Sequence, residues 1–284
     1  MTAPRSAAPD VSIVIPVFNK LAFTRQCLDR VWRNTGTTRA YEVIVVDNGS
    51  SDGTAEYLAS VGDLEPRLRY HRNPTNLGFA KANNLGAQLA AGRYLLFLNN
   101  DTLVQPGWLD AMVALADADG RAGIVGIKQL FPYTNTIHHT GIVFTPGGVP
   151  SHLYPHTDAS LPHVNKQREY QAVNGACLLI GRDLFQACKG FDEGYRNGYE
   201  DVDLCLEVRA HGRKVVCCTS AFIYHYGQIT EGRTDDDSAN AARFAAKWNG
   251  RIRVDQADYY RADAPTLHTP RSPVDPSLLP DDAV

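Results

Sequence analysis

The stretch that most constrains the fold is Tyr94–Leu98, five apolar or aromatic residues typical of a strand buried on both faces. Residues 99–101, Asn-Asn-Asp, end it, and Pro106 and Gly107 then break the chain before a new helix. A carboxylate such as Asp101, at the carboxyl end of a central parallel strand, lies where open α/β sheets bind ligands, and it is a hard oxygen donor for a divalent cation. A strand followed by an Asx turn explains the stretch equally well.

The chain before this stretch alternates between strands and helices. Val11–Val17 reads as a strand, in which Pro16 indicates a sheet edge or a strand end. Leu21–Asn34 follows as an amphipathic helix. The turn between them lacks the G-x-G-x-x-G of a dinucleotide fold, which argues against an NAD-dependent dehydrogenase.

A second buried strand, residues 42–46, runs into the sequence D-N-G-S-S-D-G-T at residues 47–54. One interpretation is a glycine-rich turn that caps a helix over residues 54–60. The other is that Asp47 accepts hydrogen bonds from a nucleotide base or ribose. Two carboxylates at strand ends within the first hundred residues favour the second interpretation.

A third strand, residues 68–71, leads to a helix that ends near residue 91. Asn76 and Gly78 precede this helix, where free backbone N–H groups suit an anion and a glycine lets a ligand approach. Lys81 and Asn84 fall in its first two turns, although caps and solvated surface would explain all four residues. The order β-α-β-α-β-α-β predicts an α/β fold with a mostly parallel central sheet.

Composition narrows the class of protein. With 44% hydrophobic residues, 21% charged residues and a net charge of −3, the chain resembles an ordinary globular protein and shows no basic stripe for a nucleic acid. Six cysteines without a C-x-x-C pattern indicate a reduced, cytoplasmic chain. The longest apolar-rich run, residues 215–226, is too short and polar to span a bilayer. We therefore expect at most peripheral membrane contact, at the inner face.

The sequence leaves the role of two regions open. Residues 131–170 hold five of the nine histidines, at spacings that fit no simple zinc site, and they are either loop histidines or part of an acceptor cleft. Residues 262–284 hold five of the sixteen prolines and read as an extended tail. We expect a flexible arm at 1–10, one domain at 11–253 and a tail at 254–284; formation of a homo-oligomer stays open.

Several motifs together resemble the family 2 glycosyltransferases of the GT-A fold. They are V-S-I-V-I-P-V-F-N, V-I-V-V-D-N-G-S-S-D-G-T, N-x-G-F-A-x-A-x-N and F-L-N-N-D. Downstream, residues 174–180 resemble the strand that passes the donor sugar, and residues 190–193 and 198–206 resemble the acidic acceptor-side motif. The resemblance covers about residues 11–226. It implies a Rossmann-like α/β/α domain, with a nucleotide-binding half at about 11–101 and an acceptor half at about 102–253.

The resemblance also implies a set of site residues. Asp101 and His225 would bind Mn²⁺ or Mg²⁺, and Asp201 would be the catalytic base, with Glu200 orienting the acceptor. The residues implied to bind the nucleotide-sugar are Pro16, Val17, Asn19, Asp47, Asn76, Gly78, Lys81, Asn84, Asn100, Gly175 and Ala176. In place of the family's D-x-D the chain has Asn99-Asn100-Asp101, so one carboxylate is missing near the metal.

The implied activity is inverting, metal-dependent transfer of a sugar to a hydroxyl of a glycan or lipid-linked acceptor. The favoured donor is a UDP-sugar, and dTDP-rhamnose is the alternative. Inversion needs a base that takes the acceptor's proton. The dipole at the start of a helix would keep Asp201 ionised and able to do so. An acidic pair at a helix start is, however, also a common helix cap. A bound cation would neutralise the leaving diphosphate.

Two other classes of protein are alternatives to a glycosyltransferase. A sugar nucleotidyltransferase would be expected to carry a glycine-rich, basic loop after the first strand, which residues 16–20 do not form. A non-catalytic glycan-binding module would not need Asp101, Asp201 and His225 together.

Overall fold

The computed structural model describes residues 8–36, 38–227 and 237–264. The strands are β1 Val11–Val17, β2 Tyr41–Asp47, β3 Leu68–Arg72, β4 Tyr94–Leu98, β5 Thr102–Val104, β6 Ala122–Leu130, β7 Ile137–His139, β8 Ile142–Phe144, β9 Pro150–His152, β10 Arg168–Tyr170, β11 Cys177–Gly181 and β12 Lys214–His225. The α-helices are α1 Leu21–Asn34, α2 Thr54–Gly62, α3 Phe79–Leu89, α4 Trp108–Ala118, α5 Arg182–Ala187, α6 Glu200–Ala210, α7 Asp237–Trp248 and α8 Gln256–Asp263.

One large mixed sheet organises the described residues. Its order is β10-β12-β6-β11-β4-β1-β2-β3, with β5 paired to β12 and β7 paired to β6. Strands β3, β2, β1 and β4 are parallel, as the alternation of buried strands and helices predicted. Strand β11 runs antiparallel to β4 and β6, while β12 is parallel to β6. The predicted α/β fold with a mostly parallel sheet is thereby confirmed.

Helices cover both faces of this sheet, because each strand of its centre is apolar on both sides. On one face, helices α1, α2 and α4 bury side chains such as Leu28, Leu58 and Trp108. On the other face, helices α5, α6 and α7 bury side chains such as Phe185 and Leu204. The result is three layers, and the carboxyl ends of the parallel strands open along one edge of the middle layer.

The edge interpretation of Pro16 was wrong, whereas the strand-end interpretation was right. Strand β1 lies between β2 and β4 in the middle of the sheet. Its pairing with β4 ends at Val14, while its pairing with β2 continues to Val17. Pro16 therefore lies beyond the part of β1 that pairs with β4, and its missing N–H leaves no gap in that pairing.

The folded part of the chain reaches Asp263, beyond residue 253, where the sequence indicated the start of a tail. Helix α8 lies in this segment, and both Asp255, which precedes it, and Asp263, its last residue, are buried. Asp255 accepts hydrogen bonds from the Phe144 N–H (2.8 Å) and from Gln171 Nε2 (2.7 Å). Residues 265–284 of the predicted tail and residues 1–7 of the predicted arm lie outside the described residues.

The C-terminal segments are held by buried carboxylates. Asp263 accepts hydrogen bonds from Arg168 (2.6 Å), Lys166 (2.7 Å) and the Tyr154 hydroxyl (2.8 Å). Asp203 on α6 accepts from Trp248 Nε1 (2.7 Å) on α7. These contacts fix α7 against α6, and α8 against residues 154–168. No helix among the described ranges is long and apolar enough to cross a bilayer.

Candidate active site

A cleft opens at the carboxyl ends of β1, β2 and β4 and continues to the start of α6. It encloses about 970 Å³ of empty space, its solvent-filled mouth included. Its lining brings together residues that are far apart in the sequence. The predicted site residues among them are Pro16, Val17, Asn76, Gly78, Asn100, Asp101, Gly175, Ala176, Glu200, Asp201 and His225.

Four predicted residues lie outside this lining, namely Asn19, Asp47, Lys81 and Asn84. The Asn19 side chain accepts a hydrogen bond from the Ser51 N–H (2.8 Å), which ties the loop after β1 to the loop after β2. Lys81 is exposed on α3. Asn84 is bonded to Phe191, donating to its carbonyl and accepting from its N–H, both at 2.9 Å.

Asp47 has a role within its own loop. Its side chain is fully buried; one oxygen accepts from the Ser50 N–H (2.8 Å) and the other from the Tyr70 hydroxyl (3.3 Å). The Arg72 guanidinium lies 3.6 Å from the second oxygen. The carboxylate therefore shapes the turn that follows β2, and its contact with a nucleotide stays a prediction. Because the carboxylate holds its own loop, its removal would also disturb the fold.

The anion site expected at the start of α3 is partly occupied by the protein itself. The Gly78 N–H donates to the Asn76 side chain (2.9 Å), and the Phe79 N–H donates to the Arg196 carbonyl (3.3 Å). Gly78 has a φ of +84°, and a Cβ there would lie 3.0 Å from the Arg196 oxygen. The glycine is thus required by close packing of the chain, and these two N–H groups are not free for a phosphate.

Several lining residues were not singled out from the sequence. Asn48 is an example: its amide donates to the Gly78 carbonyl (3.3 Å) and accepts from Asn73 (2.9 Å), joining two loops beside the cleft. Its position directly after Asp47 in a recognised motif was the available signal. The other unassigned lining residues are Phe18, Lys20, Phe79, Asn99, Asn174, Asn197 and Gly198.

The proposed metal ligands Asp101 and His225 are brought together by strand pairing. Strand β12 pairs with β5, which places His225 opposite Thr102, directly after Asp101. His225 Nε2 lies 3.3 Å from Asp101 Oδ1. The Gly227 N–H donates to Asp101 Oδ2 (3.1 Å), so this carboxylate is also held by the segment that directly follows His225. Both side chains are buried.

The hydrogen bond from His225 to Gln129 determines the state of the imidazole. His225 Nδ1 lies 2.9 Å from Gln129 Oε1. Because an amide oxygen only accepts, Nδ1 carries a proton, and in the neutral imidazole Nε2 then keeps its lone pair on the side of Asp101. Among the described residues this buried Nε2 has no hydrogen-bond partner. A fixed imidazole with an available lone pair beside a carboxylate is the arrangement of a metal ligand.

The charge of Asp101 also suits a cation. Burial raises the pKa of Asp101, but the positive charge of a protonated His225 and the backbone N–H groups that bond the carboxylate together outweigh burial, and the pKa lies below its ordinary value. Within the described ranges, no group of three or more His, Cys, Asp or Glu could hold a metal. These two residues therefore fit as part of a coordination sphere whose remaining oxygens would come from a bound ligand or water.

The acidic pair lies at the start of α6, and Asp201 is held from two sides. Its Oδ1 accepts from the Val202 N–H (2.8 Å) within the helix, as in the capping interpretation. Its Oδ2 accepts from the Gly175 N–H (2.7 Å), outside the helix. A Cβ on Gly175 would lie 2.9 Å from the Asp201 Cβ, so only glycine permits this approach. Asp201 is thus bonded to a loop outside α6 as well as to the start of its own helix.

The acidic residues at the start of helix α6 lie in two different environments. Glu200 is buried and lines the cleft together with Asp201. Asp203, in contrast, points into the protein, where Lys247 Nζ lies 2.8 Å away and Trp248 donates to it. Asp201 and Asp203 point in different directions, because residues two apart on a helix do not share a face. Asp203 is therefore a structural carboxylate, although it belongs to the same sequence motif.

Comparison with known proteins shows to which family the chain belongs. The family model described as glycosyl transferase family 2 matches residues 12–185. The chain is 32% identical over 229 residues to the O-antigen biosynthesis protein RfbC of Myxococcus xanthus, covering 78% of this chain and 18% of that protein. The chain thus spans less than a fifth of that relative's length.

Solved structures resemble the chain in fold. A crystal structure of GalNAc-T7 with UDP, GalNAc and Mn²⁺ superimposes with a TM-score of 0.69 at 16% identity, covering 93% of this chain and 52% of that one. The mannosyltransferase PcManGT from Pyrobaculum calidifontis, in complex with GDP-Man and Mn²⁺, gives 0.62 at 16% identity, covering 93% and 78%. These neighbours are GT-A glycosyltransferases. The chain therefore carries a transferase domain and belongs to glycosyltransferase family 2.

Proposed function

We propose that the chain is an inverting, metal-dependent glycosyltransferase. It moves a sugar from a nucleoside diphosphate sugar to a hydroxyl of a glycan or lipid-linked acceptor. The observation that carries the proposal is that one cleft is lined by the buried Asp101–His225 pair and by Asp201, held by the Gly175 N–H. A metal–diphosphate site and a base on opposite sides of a sugar are what a direct displacement requires.

The metal site would consist of Asp101 Oδ1 and His225 Nε2, completed by oxygens of the donor diphosphate. Its mixed nitrogen and oxygen donors suit Mn²⁺, with Mg²⁺ as the alternative. When bound, the cation supplies positive charge that neutralises the leaving diphosphate. Because Asn99 stands where the family has a carboxylate, we expect tight metal binding only together with the nucleotide.

Asp201 would act as the general base. The acceptor oxygen forms a bond to the anomeric carbon while the bond from that carbon to the diphosphate oxygen breaks. The acceptor's proton passes to the Asp201 carboxylate, whose Oδ2 is held by the Gly175 N–H. Glu200, buried beside it in the cleft, orients the acceptor through hydrogen bonds to its hydroxyls.

UDP is the favoured nucleotide, and dTDP-rhamnose is the alternative donor. The GT-A neighbours were solved with UDP in one case and GDP-Man in the other, so the fold alone does not select the base. The name of RfbC supports an acceptor that belongs to a surface polysaccharide. Peripheral contact with the inner face of a membrane and formation of a homo-oligomer are parts of the proposal that need their own tests.

The first experiment compares Asp201→Asn with Glu207→Gln as a matched control. Glu207 lies on the same helix, pairs with Lys247 (2.8 Å) and is not part of the cleft lining. We expect Asp201→Asn to lower turnover by about 10²–10⁴-fold, the usual contribution of a general base. Nucleotide affinity, measured by calorimetry with Mn²⁺, should remain unchanged, and Glu207→Gln should transfer normally.

Glu200→Gln should be milder than Asp201→Asn and act mainly on the KM of the acceptor. If Glu200→Gln is inactive while Asp201→Asn turns over normally, the base is Glu200. If both variants transfer sugar normally, the pair is only a helix cap and the mechanism is wrong. A screen of UDP-, dTDP- and GDP-sugars by thermal shift, with and without Mn²⁺, selects the donor. Full activity in a chelator would contradict the metal site.

A further inference from the structure

His139 connects the histidine-rich segment to the cleft. The side chain is fully buried, and its Nε2 accepts a hydrogen bond from the Asn174 N–H (3.2 Å). Its Nδ1 lies 3.0 Å from Nδ1 of His152 on strand β9. Strand β7, which ends at His139, is paired to β6 of the main sheet, so the imidazole sits on a rigid element.

These two contacts determine the tautomer of His139. The Asn174 N–H is a donor, so Nε2 must carry a lone pair. A neutral imidazole then has its proton on Nδ1, and this proton is donated to Nδ1 of His152. Burial lowers the pKa of His139 well below its ordinary value, and the neighbouring histidines 152, 138 and 225 add to this effect. His139 is therefore neutral with a defined orientation.

The segment that His139 holds is the loop 174–176, which forms one wall of the cleft. The Gly175 N–H in this loop donates to Asp201 Oδ2 (2.7 Å). The far end of the loop is fixed by the Ala176 carbonyl, which accepts from the Asn99 N–H (2.9 Å). The Asn174 side chain accepts from the Ala176 N–H (2.7 Å) and closes the turn. His139 is thus the anchor at the near end.

We propose that His139 is a positioning residue for the catalytic carboxylate: its Nε2 holds the Asn174 N–H, and the adjacent Gly175 N–H thereby meets Asp201. This inference rests on the proposed role of Asp201. A loop without this anchor would leave the Asn174 N–H without its acceptor and let the Gly175 N–H move away from the carboxylate. Misplacement of a catalytic group by about 1 Å lowers turnover by as much as about 10²-fold.

The experiment compares two substitutions at the same position. His139→Phe keeps a buried planar ring but removes the acceptor, whereas His139→Gln offers an amide oxygen near the place of Nε2. His163→Phe is the matched control, because His163 is also buried and packs its ring on Tyr154, 4.7 Å away, outside the cleft lining. Turnover, donor KM and the hydrogen exchange of the Asn174 and Gly175 amides are measured in each folded variant.

We expect His139→Phe to lower kcat by about 10–100-fold with little change in donor KM, and to speed up exchange of both amides. His139→Gln should restore most of the turnover and the protection, and His163→Phe should behave like the wild type. Normal turnover and unchanged exchange in His139→Phe would overturn the proposal, as would failure of His139→Gln to recover either readout.

The Asp201→Asn variant separates this proposal from the proposed function. If Asp201→Asn transfers normally, the base assignment fails, and with it the consequence for turnover. If Asp201→Asn is inactive while His139→Phe is fully active, only the positioning role fails. When His139→Phe is combined with Asp201→Asn, the turnover should fall little further than in Asp201→Asn alone, because the two residues act on the same step.

Discussion

Replacing Gly175 by alanine should displace Asp201, the proposed catalytic carboxylate, without removing any functional group. A Cβ at this position would lie 2.9 Å from the Asp201 Cβ and 3.3 Å from its Oδ2. Carbon atoms in contact normally lie about 3.5–4.0 Å apart, so the two must separate by about 0.6–1.1 Å. Because Asp201 Oδ2 is held by the Gly175 N–H at 2.7 Å, the same shift stretches that hydrogen bond.

This displacement gives an expected magnitude. A misplacement of about 1 Å at a catalytic group costs up to about 10²-fold in rate, so we expect Gly175→Ala to lower kcat by about 10–100-fold. Overpacking at this position should destabilise the fold by about 1–3 kcal/mol. The two effects are separated by measuring transfer at saturating donor and acceptor, and unfolding by urea, on the same preparations.

Gly181→Ala is the matched control. Gly181 lies at the end of β11, the strand that follows Gly175, with φ −62° and ψ 133°, a conformation open to any residue. A Cβ there meets nothing within 4 Å among the described residues. We expect unchanged turnover and equal or slightly higher stability, by about 0.4–1 kcal/mol.

Two outcomes would refute this reasoning. If folded Gly175→Ala transfers sugar as fast as the wild type, the contact with Asp201 does not matter for the reaction. If Gly175→Ala lowers the residual turnover of Asp201→Asn as strongly as it lowers that of the wild type, the effect does not pass through this carboxylate.

Two further predictions concern other buried groups. Gln129→Met removes the hydrogen-bond acceptor that fixes His225, and it should weaken Mn²⁺ binding in the presence of nucleotide by about 10–100-fold. A titration followed by electron paramagnetic resonance measures this affinity. An unchanged affinity would contradict the tautomer assigned to His225. Burial raises the pKa of Asp263, but hydrogen bonds from Arg168, Lys166 and Tyr154 lower it to about 2. Because this pKa is lower in the folded protein than in the unfolded chain, the ionised Asp263 stabilises the fold above its unfolded pKa. This contribution to the free energy of unfolding is lost as pH falls from about 4 to about 2. Asp263→Asn should lower the free energy of unfolding by about 1.5–3 kcal/mol at pH 7 and by less at pH 2, as measured by urea unfolding. An equal loss at both pH values would contradict this prediction.

The nucleotide-side half of the fold could be predicted from the sequence because its signals are local. Continuous apolar runs such as Tyr94–Leu98 mark strands buried on both faces, and the helices between them leave only parallel pairing. The bounds of β1 and α1 agree with the predicted ones. The position of β11 between β4 and β6, antiparallel to both, could not be read in this way, since no local pattern encodes which distant strand it meets.

The candidate site was predictable only as far as motifs reach. Asp101, Asp201 and His225 were assigned by resemblance, and the structure places them in one cleft. The partners that orient them were missed. Gln129 and His139 lie outside every recognised motif, and their contacts depend on the pairing of β6 with β12 and with β7. Such contacts depend on tertiary packing, which a single sequence does not display.

The pairing of β5 with β12 has a consequence for how the protein matures on the ribosome. Gly227, whose N–H donates to Asp101, follows it by 126 residues, and His225 is the last residue of β12, just before it. The nucleotide-side strands can pair as soon as they are synthesised, whereas Asp101 must wait for the chain beyond residue 225. The two proposed metal ligands therefore come together only after residue 225 has been synthesised, so a chain that stops before this point would lack the proposed manganese site.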